Sequence, residues 1–250
     1  KLVSADAALA AQAYADSVQR YANLLSAGAA GQLPRLAVRV TRATGTVTDA
    51  IVGAISRVST PYYLFWEHDW VPCRRLPISS VLDEMDRSVA DASRTTINYV
   101  RFAKHPLVPR DNVTVNDRWF GPCEACHLPL LEAVSWSNNP HVARTHFFMD
   151  KCAPRIDHGG MLQRGGFVEA AITQGMMWPD FATRGYSAFS DWGTYVYGGR
   201  GMYASVLHTD GRGGWADAPS LDELRAVSGS HYRNRCDLDV DGPTFFANYA

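Results

Sequence analysis

Apolar positions along the first part of the chain change their period in a regular order. Residues 7–25 and 46–58 carry apolar side chains at helical spacing, whereas residues 36–42 alternate and residues 62–66 form a short apolar run. This order predicts helix, strand, helix and strand. Such alternation is typical of an α/β fold with a mostly parallel sheet flanked by helices. We interpret the chain as a single domain and expect the run at 62–66 to be buried on both faces.

Farther along the chain, the patterns are shorter and less regular. Residues 78–91 predict a helix and residues 96–102 a strand, while 129–136, 166–174 and 220–227 predict short helices. Beyond residue 140 the chain is rich in glycine, histidine and aromatic residues, so few long elements are expected there.

Composition narrows the class of protein. The 250 residues are 46% hydrophobic and carry a formal net charge of −1, which suits one well-cored domain. Basic residues are scattered, so no nucleic-acid partner is expected. No apolar stretch has the length of a transmembrane helix, and we expect any membrane anchor to lie outside this chain, which begins at Lys1.

Two carboxylates, Glu67 and Asp69, directly follow the apolar run at 62–66. In open α/β sheets, ligands bind beyond the carboxyl ends of the strands, so these acids lie where a site is expected. Two carboxylates on one side of an extended or turning backbone can hold a hard divalent cation together with substrate phosphates. The alternative is a solvated acidic turn.

The segment "STPYYLFWEHDWVP" at 59–72 resembles the strand and acidic motif of nucleotide-sugar-dependent glycosyltransferases of the GT-A, Rossmann-like fold. Their D-x-D motif maps onto Glu67, His68 and Asp69, with Glu in place of the first Asp. The resemblance implies that Asp69 binds Mn²⁺ or Mg²⁺ directly. It implies that Glu67 binds the ribose or reaches the metal through water, and that His68 contacts the donor.

The resemblance continues downstream of the acidic motif. "RGGFVEAAI" at 164–172 is similar to the segment that carries the general base of inverting members, which maps onto Glu169. "YASVLHTDGRG" at 203–213 is similar to the region with a late metal ligand, here His208 with Asp210 as a second candidate. It also implies donor contacts from Asp210 and Arg212. The alternatives are an ordinary first-turn glutamate and a structural histidine.

Trp136, Asn138 and Asn139 in "WSNNPHVAR" are the predicted acceptor-binding residues, because an indole can stack on a sugar ring and amides can bond its hydroxyls. The two asparagines could equally form a turn before Pro140. The resemblance divides the chain into a nucleotide-sugar-binding half, residues 1–110, and an acceptor-binding half, residues 111–250.

The chain has five cysteines, and it lacks the sequence motifs of common hydrolases. Cys123 and Cys126 have C-x-x-C spacing, but no second close pair completes a zinc site. If the protein is luminal, a disulfide among Cys73, Cys123, Cys126 and Cys152 is favoured over zinc. The sequon at Asn112 and the family resemblance favour the lumen of the secretory pathway, Golgi or endoplasmic reticulum, over the cytoplasm.

The resemblance predicts that the chain moves a sugar from a nucleotide-sugar to a glycan or glycoprotein. A non-catalytic carbohydrate-binding or scaffold protein with the same fold is the rival.

Overall fold

The computed structural model describes residues 46–67, 70–72, 74–103, 119–156, 167–198 and 205–208, together with Asp16. The chain divides into two units, Gly45–Val240 and a second one made of Lys1–Thr44 and Asp241–Ala250. All helices and strands named below belong to the first unit. The elements predicted at 7–25, 36–42 and 220–227 lie outside the described residues. Across the described ranges, no helix combines the length and the apolarity needed to cross a membrane.

Helix α1 spans Val47–Ile55 and begins at a capping box. The Thr46 hydroxyl accepts a hydrogen bond from the Asp49 N–H at 3.2 Å, and the Asp49 carboxylate accepts one from the Thr46 N–H at 2.8 Å. These bonds satisfy N–H groups that have no partner inside the helix, which explains why the helix begins here. The predicted helix is confirmed, with Thr46 as its cap.

The remaining elements are mostly short. The strands are β1 Tyr62–Phe65, β2 Trp70–Pro72, β3 Tyr99–Phe102, β4 Trp119–Pro122, β5 Leu130–Ala133, β6 His141–Arg144, β7 Thr194–Tyr197 and β8 Val206–His208. The helices are α2 Ile78–Ala90, α3 Thr145–Phe147, α4 Val168–Ile172, α5 Trp178–Arg184 and α6 Phe189–Trp192. Helix α3 continues as a π-helical turn and a 3₁₀ turn, Phe148–Cys152 and Ala153–Arg155. Helix α4 continues through π-helical Thr173–Met177 into α5, which a 3₁₀ turn, Gly185–Ala188, joins to α6.

Six of these strands form one mixed sheet in the order β1-β6-β3-β7-β5-β4, and β2 pairs with β8 separately. Within the described sheet, β3 and β7 pair in parallel, and the other four neighbouring pairs are antiparallel. The α/β class is confirmed, but the prediction of a mostly parallel sheet was wrong. Strands β1 and β3 do run in the same direction, as a strand–helix–strand unit requires. Strand β6 lies between them and runs the opposite way.

Two local predictions also need correction. Strand β1 is not buried on both faces, because Leu64 is 50% exposed and β1 pairs only with β6 among the described strands. The segment 129–136, predicted as a helix, forms strand β5 because β7 and β4 pair with it on either side. A short apolar run has no period that distinguishes a strand from a buried helix.

The core lies on both faces of the central strands β3 and β6, which are buried at every position. Tyr99 and Ala143 point to one face, where they pack with residues of α4 and its π-helical continuation. Val100 and Val142 point to the other, where they pack with Val81 of α2. We call these the α4 face and the α2 face.

The ends of three strands meet at one border of the sheet. Phe65 at the end of β1 pairs with His141 at the start of β6, and His141 pairs with Arg101 near the end of β3. We call this border the upper edge. Residues that follow β1 and β3 and residues that precede β6 therefore lie close to one another there.

Candidate functional site

Glu67 lies two residues after the end of β1, at the upper edge. Its carboxylate accepts a 3.4 Å hydrogen bond from the Trp70 indole N–H, and its carbonyl accepts one from the Trp70 backbone N–H at 3.3 Å. Trp70 is 6% exposed, so it is a rigid neighbour. The first bond holds the Glu67 carboxylate next to β2, and the second holds the Glu67 backbone there. His68 and Asp69, which separate Glu67 from Trp70 in sequence, lie outside the described residues.

The backbone of His208 lies directly opposite Trp70 in the pairing of β2 with β8. Strand β8 is attached to the end of β3, because the N–H groups of Ser205 and Val206 both donate to the Ala103 carbonyl, at 2.7 and 3.2 Å. The structure thus brings the His208 backbone beside a residue that directly follows Asp69 in sequence, although His208 comes 138 residues after Trp70 along the chain.

The loop from Trp136 to Pro140 reaches the upper edge from the other side, because it leads into β6. Tyr99, in the middle of the sheet, holds this loop: its hydroxyl donates to the Ser137 carbonyl at 2.8 Å and accepts from the Ser137 N–H at 3.1 Å. The Phe102 N–H donates to the Pro140 carbonyl at 2.9 Å. The loop is therefore fixed to β3 at two points.

Glu169, the predicted base, lies in the first turn of α4 and is exposed. Its Oε2 accepts a 3.1 Å hydrogen bond from the Asn138 N–H and a 3.4 Å bond from the Ser137 hydroxyl. Thr173, one turn farther along the helical segment, exchanges hydrogen bonds of 2.8 Å with the N–H and carbonyl of Trp136. The helix that carries Glu169 is thus bonded to the loop before β6.

The three predicted acceptor residues have different surroundings. Trp136 is 1% exposed, and its ring packs 4.2 Å from Tyr99 between ring centroids. Its indole is a core group and offers no face to a sugar, so its assignment as a stacking surface is corrected. The reason is the apolar α4 face, which takes up the indole. Asn138 is half-buried at the loop surface, whereas Asn139 is 6% exposed.

Two buried polar residues at the upper edge were not singled out in the sequence. Arg101 is 6% exposed and lies beside His141, which is 2% exposed and stacks on Phe65 at 5.0 Å. Burial lowers the pKa of His141 to about 3, against a hydrogen bond between Nδ1 and the Asn139 carbonyl that acts to raise it. The imidazole is therefore neutral at neutral pH. A charged residue inside the apolar run "NYVRFA" was the available signal for Arg101.

The remaining predicted donor-contacting residues, Asp210 and Arg212, lie outside the described residues, and of His208 the structure describes the backbone. Among the described side chains, no group of three or more His, Cys, Asp and Glu residues comes close enough to hold a metal ion. The predicted metal set therefore stays a prediction, because Asp69 and the imidazole of His208 lie outside the described part of the chain.

The C-x-x-C pair is a disulfide, Cys123–Cys126, at the turn between β4 and β5. This confirms the predicted preference for a disulfide among the cysteines over a zinc site at these two thiols. Cys152 is a free thiol in the core, and burial raises its pKa to about 12. Cys73 and Cys236 lie outside the described residues.

Scans against models of known protein families, curated proteins and solved structures each give no match for this chain.

Proposed function

We propose that this protein is a metal-dependent glycosyltransferase of the GT-A, Rossmann-like fold, which moves a sugar from a nucleoside-diphosphate sugar to a hydroxyl of a glycan or glycoprotein. The observation that carries the proposal is that three distant segments are each connected to residues at or next to the upper edge. Glu67 follows β1, the His208 backbone pairs opposite Trp70, which bonds Glu67, and Glu169 is bonded to the loop that leads into β6. The acidic motif, the late histidine and the base-bearing segment are the parts such a transferase needs.

The residues around the acidic motif suit a divalent cation, Mn²⁺ or Mg²⁺. Glu67 and Asp69 supply carboxylate oxygens, which hard cations prefer, and His208 would add a third ligand. The register of β2 with β8 supports this set, since it places the His208 backbone next to that of Trp70. When bound, such a cation neutralises the charge that develops on the leaving nucleoside diphosphate.

Contacts to the nucleotide-sugar would come from His68, Asp210 and Arg212. A guanidinium pairs with phosphate oxygens in a planar, two-bond geometry, which suits Arg212 for the diphosphate. Arg101, buried at the same edge, adds a fixed positive charge behind this region and would favour an anionic donor there.

Glu169 would act as the general base. It takes the proton of the acceptor hydroxyl while that oxygen attacks the anomeric carbon and the bond to the diphosphate breaks, so the configuration inverts. Among the described residues, both hydrogen bonds to Glu169 go to Oε2, and this leaves Oε1 to receive the proton. Asn138, which is half-buried beside it, would orient the acceptor; Asn139 is nearly buried and would act from behind that loop.

The Cys123–Cys126 disulfide suits an oxidising compartment, so we place the enzyme in the lumen of the secretory pathway.

Calorimetric titration of a panel of nucleoside diphosphates, with Mn²⁺ and then with EDTA, tests the proposal first. One nucleotide should bind tightly, and its binding should disappear with EDTA. Binding that is absent under both conditions would contradict the proposal and favour a non-catalytic carbohydrate-binding protein.

Three variants then separate the roles of the carboxylates. Asp69→Ala should abolish both transfer and metal-dependent nucleotide binding. Glu169→Gln should lower transfer by about 10²–10⁴-fold, the usual worth of a general base, and leave nucleotide binding intact. Asp150→Asn, an exposed carboxylate elsewhere on the surface, is the matched control and should change neither. Normal turnover in Glu169→Gln would remove the assigned base and point to a retaining mechanism.

A further inference from the structure

A cavity lies on the α2 face of the sheet, away from the upper edge. Its volume is about 540 Å³, and it opens between the α2–β3 connection, the end of β4 and the helical segment before β7. Its lining includes Thr95, Glu124, Glu132, Tyr186 and Tyr195. Small-molecule sites usually have volumes of about 300–1,000 Å³, so the cavity is large enough for a ligand. We call it the β5 cleft.

The β5 cleft is separate from the proposed transfer centre. Glu132 pairs with Tyr195, and Tyr195 pairs with Val100, so these side chains share the α2 face. Glu169 instead contacts the loop that Tyr99 holds on the α4 face. Four strand spacings, about 19 Å, also separate β5 from β1 and its acidic motif.

Tyr186 gives the β5 cleft an exposed aromatic side chain. It is 56% exposed, although its ring stacks on Phe189 at 5.7 Å with an interplanar angle of 13°. Phe189 in turn packs edge-on against Tyr195 at 5.3 Å. The ring is therefore held in place while part of it stays exposed to solvent. A fixed, partly exposed aromatic ring can stack against the apolar face of a ligand.

The polar groups of the β5 cleft suit hydroxyl donors. Glu132 is half-buried, and its two carboxylate oxygens lie 3.0 and 2.9 Å from the Tyr186 hydroxyl. Burial raises the pKa of Glu132, partly offset by that hydrogen bond. The carboxylate keeps further lone pairs that can accept from a ligand. Thr95 and Ser93 add hydroxyl groups at the border of the cleft.

The charges of the β5 cleft disfavour a phosphate or nucleotide. Arg94 is the cationic residue of the described lining, and its guanidinium is bonded to the buried Glu84 carboxylate at 2.6 Å. The other charged residues of the lining, Glu132 and Glu124, are acidic. An anionic ligand would therefore meet like charges, whereas a neutral polyhydroxyl ligand would not.

We propose that the β5 cleft binds a neutral saccharide, a segment of the glycan acceptor that lies beyond the transferred residue, with a sugar ring on Tyr186 and its hydroxyls donating to Glu132. The acceptor role rests on the transferase function proposed above, whereas saccharide binding in the cleft does not. The cleft would hold the acceptor while the transfer centre works on another part of the same glycan.

Saturation-transfer NMR with cellotetraose, mannotetraose, chitotetraose and maltotetraose, in EDTA and without nucleotide, tests this proposal. At least one tetrasaccharide should bind. Tyr186→Ala should weaken that binding about tenfold, the worth of one aromatic contact, and Glu132→Gln should weaken it several-fold. Tyr186→Phe keeps the ring and should retain most of the affinity. Phe167→Ala removes an exposed aromatic residue beside Glu169 and should have no effect.

The outcomes separate the two proposals. Absence of binding by all four probes, or loss of binding in Phe167→Ala but not in Tyr186→Ala, would overturn the saccharide site in the cleft. Saccharide binding that depends on Tyr186, in a protein that binds no nucleotide with Mn²⁺, would keep the cleft and remove the transferase. Thermal melting of each variant checks that it is folded.

Discussion

Removing one hydroxyl group, by Tyr99→Phe, tests how the loop before β6 is held. Tyr99 is fully buried on the central strand β3, and its hydroxyl bonds both the carbonyl and the N–H of Ser137. Phenylalanine keeps the ring, whose centroid lies 4.2 Å from that of Trp136 and 4.7 Å from that of His141. The substitution therefore removes two hydrogen bonds and little packing.

The expected loss follows from the two backbone groups left behind. Ser137 is 5% exposed, so its N–H and carbonyl have restricted access to water. A buried polar group that loses its partner costs about 1–3 kcal/mol, and a net hydrogen bond contributes about 1 kcal/mol. For the pair we expect the free energy of unfolding to fall by about 2–3 kcal/mol. In a domain of this size that corresponds to a fall in Tm of roughly 4–12 °C.

Urea unfolding followed by tryptophan fluorescence measures this difference. The midpoint should fall without a change in the slope m, because the surface exposed on unfolding is the same. Tyr186→Phe is the control: its hydroxyl also bonds a partner, but the residue is 56% exposed, so the change should stay within about 0.5 kcal/mol. A Tyr99→Phe midpoint equal to that of the control would refute the view that this hydroxyl holds the loop.

Three further predictions concern other parts of the described fold. Glu84→Gln leaves Arg94 without its buried partner and should cost about 3 kcal/mol at neutral pH. Burial acts to raise the pKa of Glu84, but hydrogen bonds from Arg94 and Arg87 lower it below the ordinary value. The cost of the substitution, measured by urea unfolding, should therefore shrink as the pH falls through the carboxyl range. The pKa of His141 falls from 6.5 to about 3 on folding. Between these two pH values the unfolded state binds a proton that the folded state does not. The free energy of unfolding should therefore drop as the pH falls from 6.5 toward 3. His141→Phe should make the dependence of unfolding free energy on pH shallower by up to about 1.4 kcal/mol per pH unit, the contribution of one proton. An unchanged dependence would exclude His141 as its source. Gly193→Ala should yield little folded protein on circular dichroism, because φ is +52° and a Cβ would lie 1.8 Å from the Thr96 carbonyl oxygen. A normal melting curve would show that this turn can move.

Local signals in the sequence predict local structure well here. Helix α1, helix α2 and the strand that leads to Glu67 each depend on residues within one or two turns of each other. The alternation of the first hundred residues also predicts correctly that β1 and β3 run in the same direction. It does not predict that β6, which begins 39 residues after β3 ends, inserts between them. Non-local pairing leaves no periodic signal near either strand.

The same limit explains the mixed outcome at the candidate site. The sequence shows Trp136 as an indole beside amides, which suits a sugar-binding surface, but its burial depends on Tyr99 and Phe148 from other elements. The bond from the Asn138 N–H to Glu169 likewise joins segments 31 residues apart. Residue type and spacing could identify Glu169 as a candidate, but only the fold shows which loop orients it.

Packing of the core therefore determines the geometry of the upper edge. Tyr99 and Val100 point to opposite faces of the sheet, and each is fully buried there. A slip of one residue in the pairing of β3 with β6 would exchange those faces, and the apolar α4 and α2 faces would both lose their fit. The register is thus strongly specified by burial alone. Because the same register aligns Phe65, His141 and Arg101, the positions of Glu67 and of the loop that carries Glu169 follow from apolar packing. Core substitutions at Tyr99 or Val100 should accordingly disturb the proposed chemistry even though neither residue would touch a substrate.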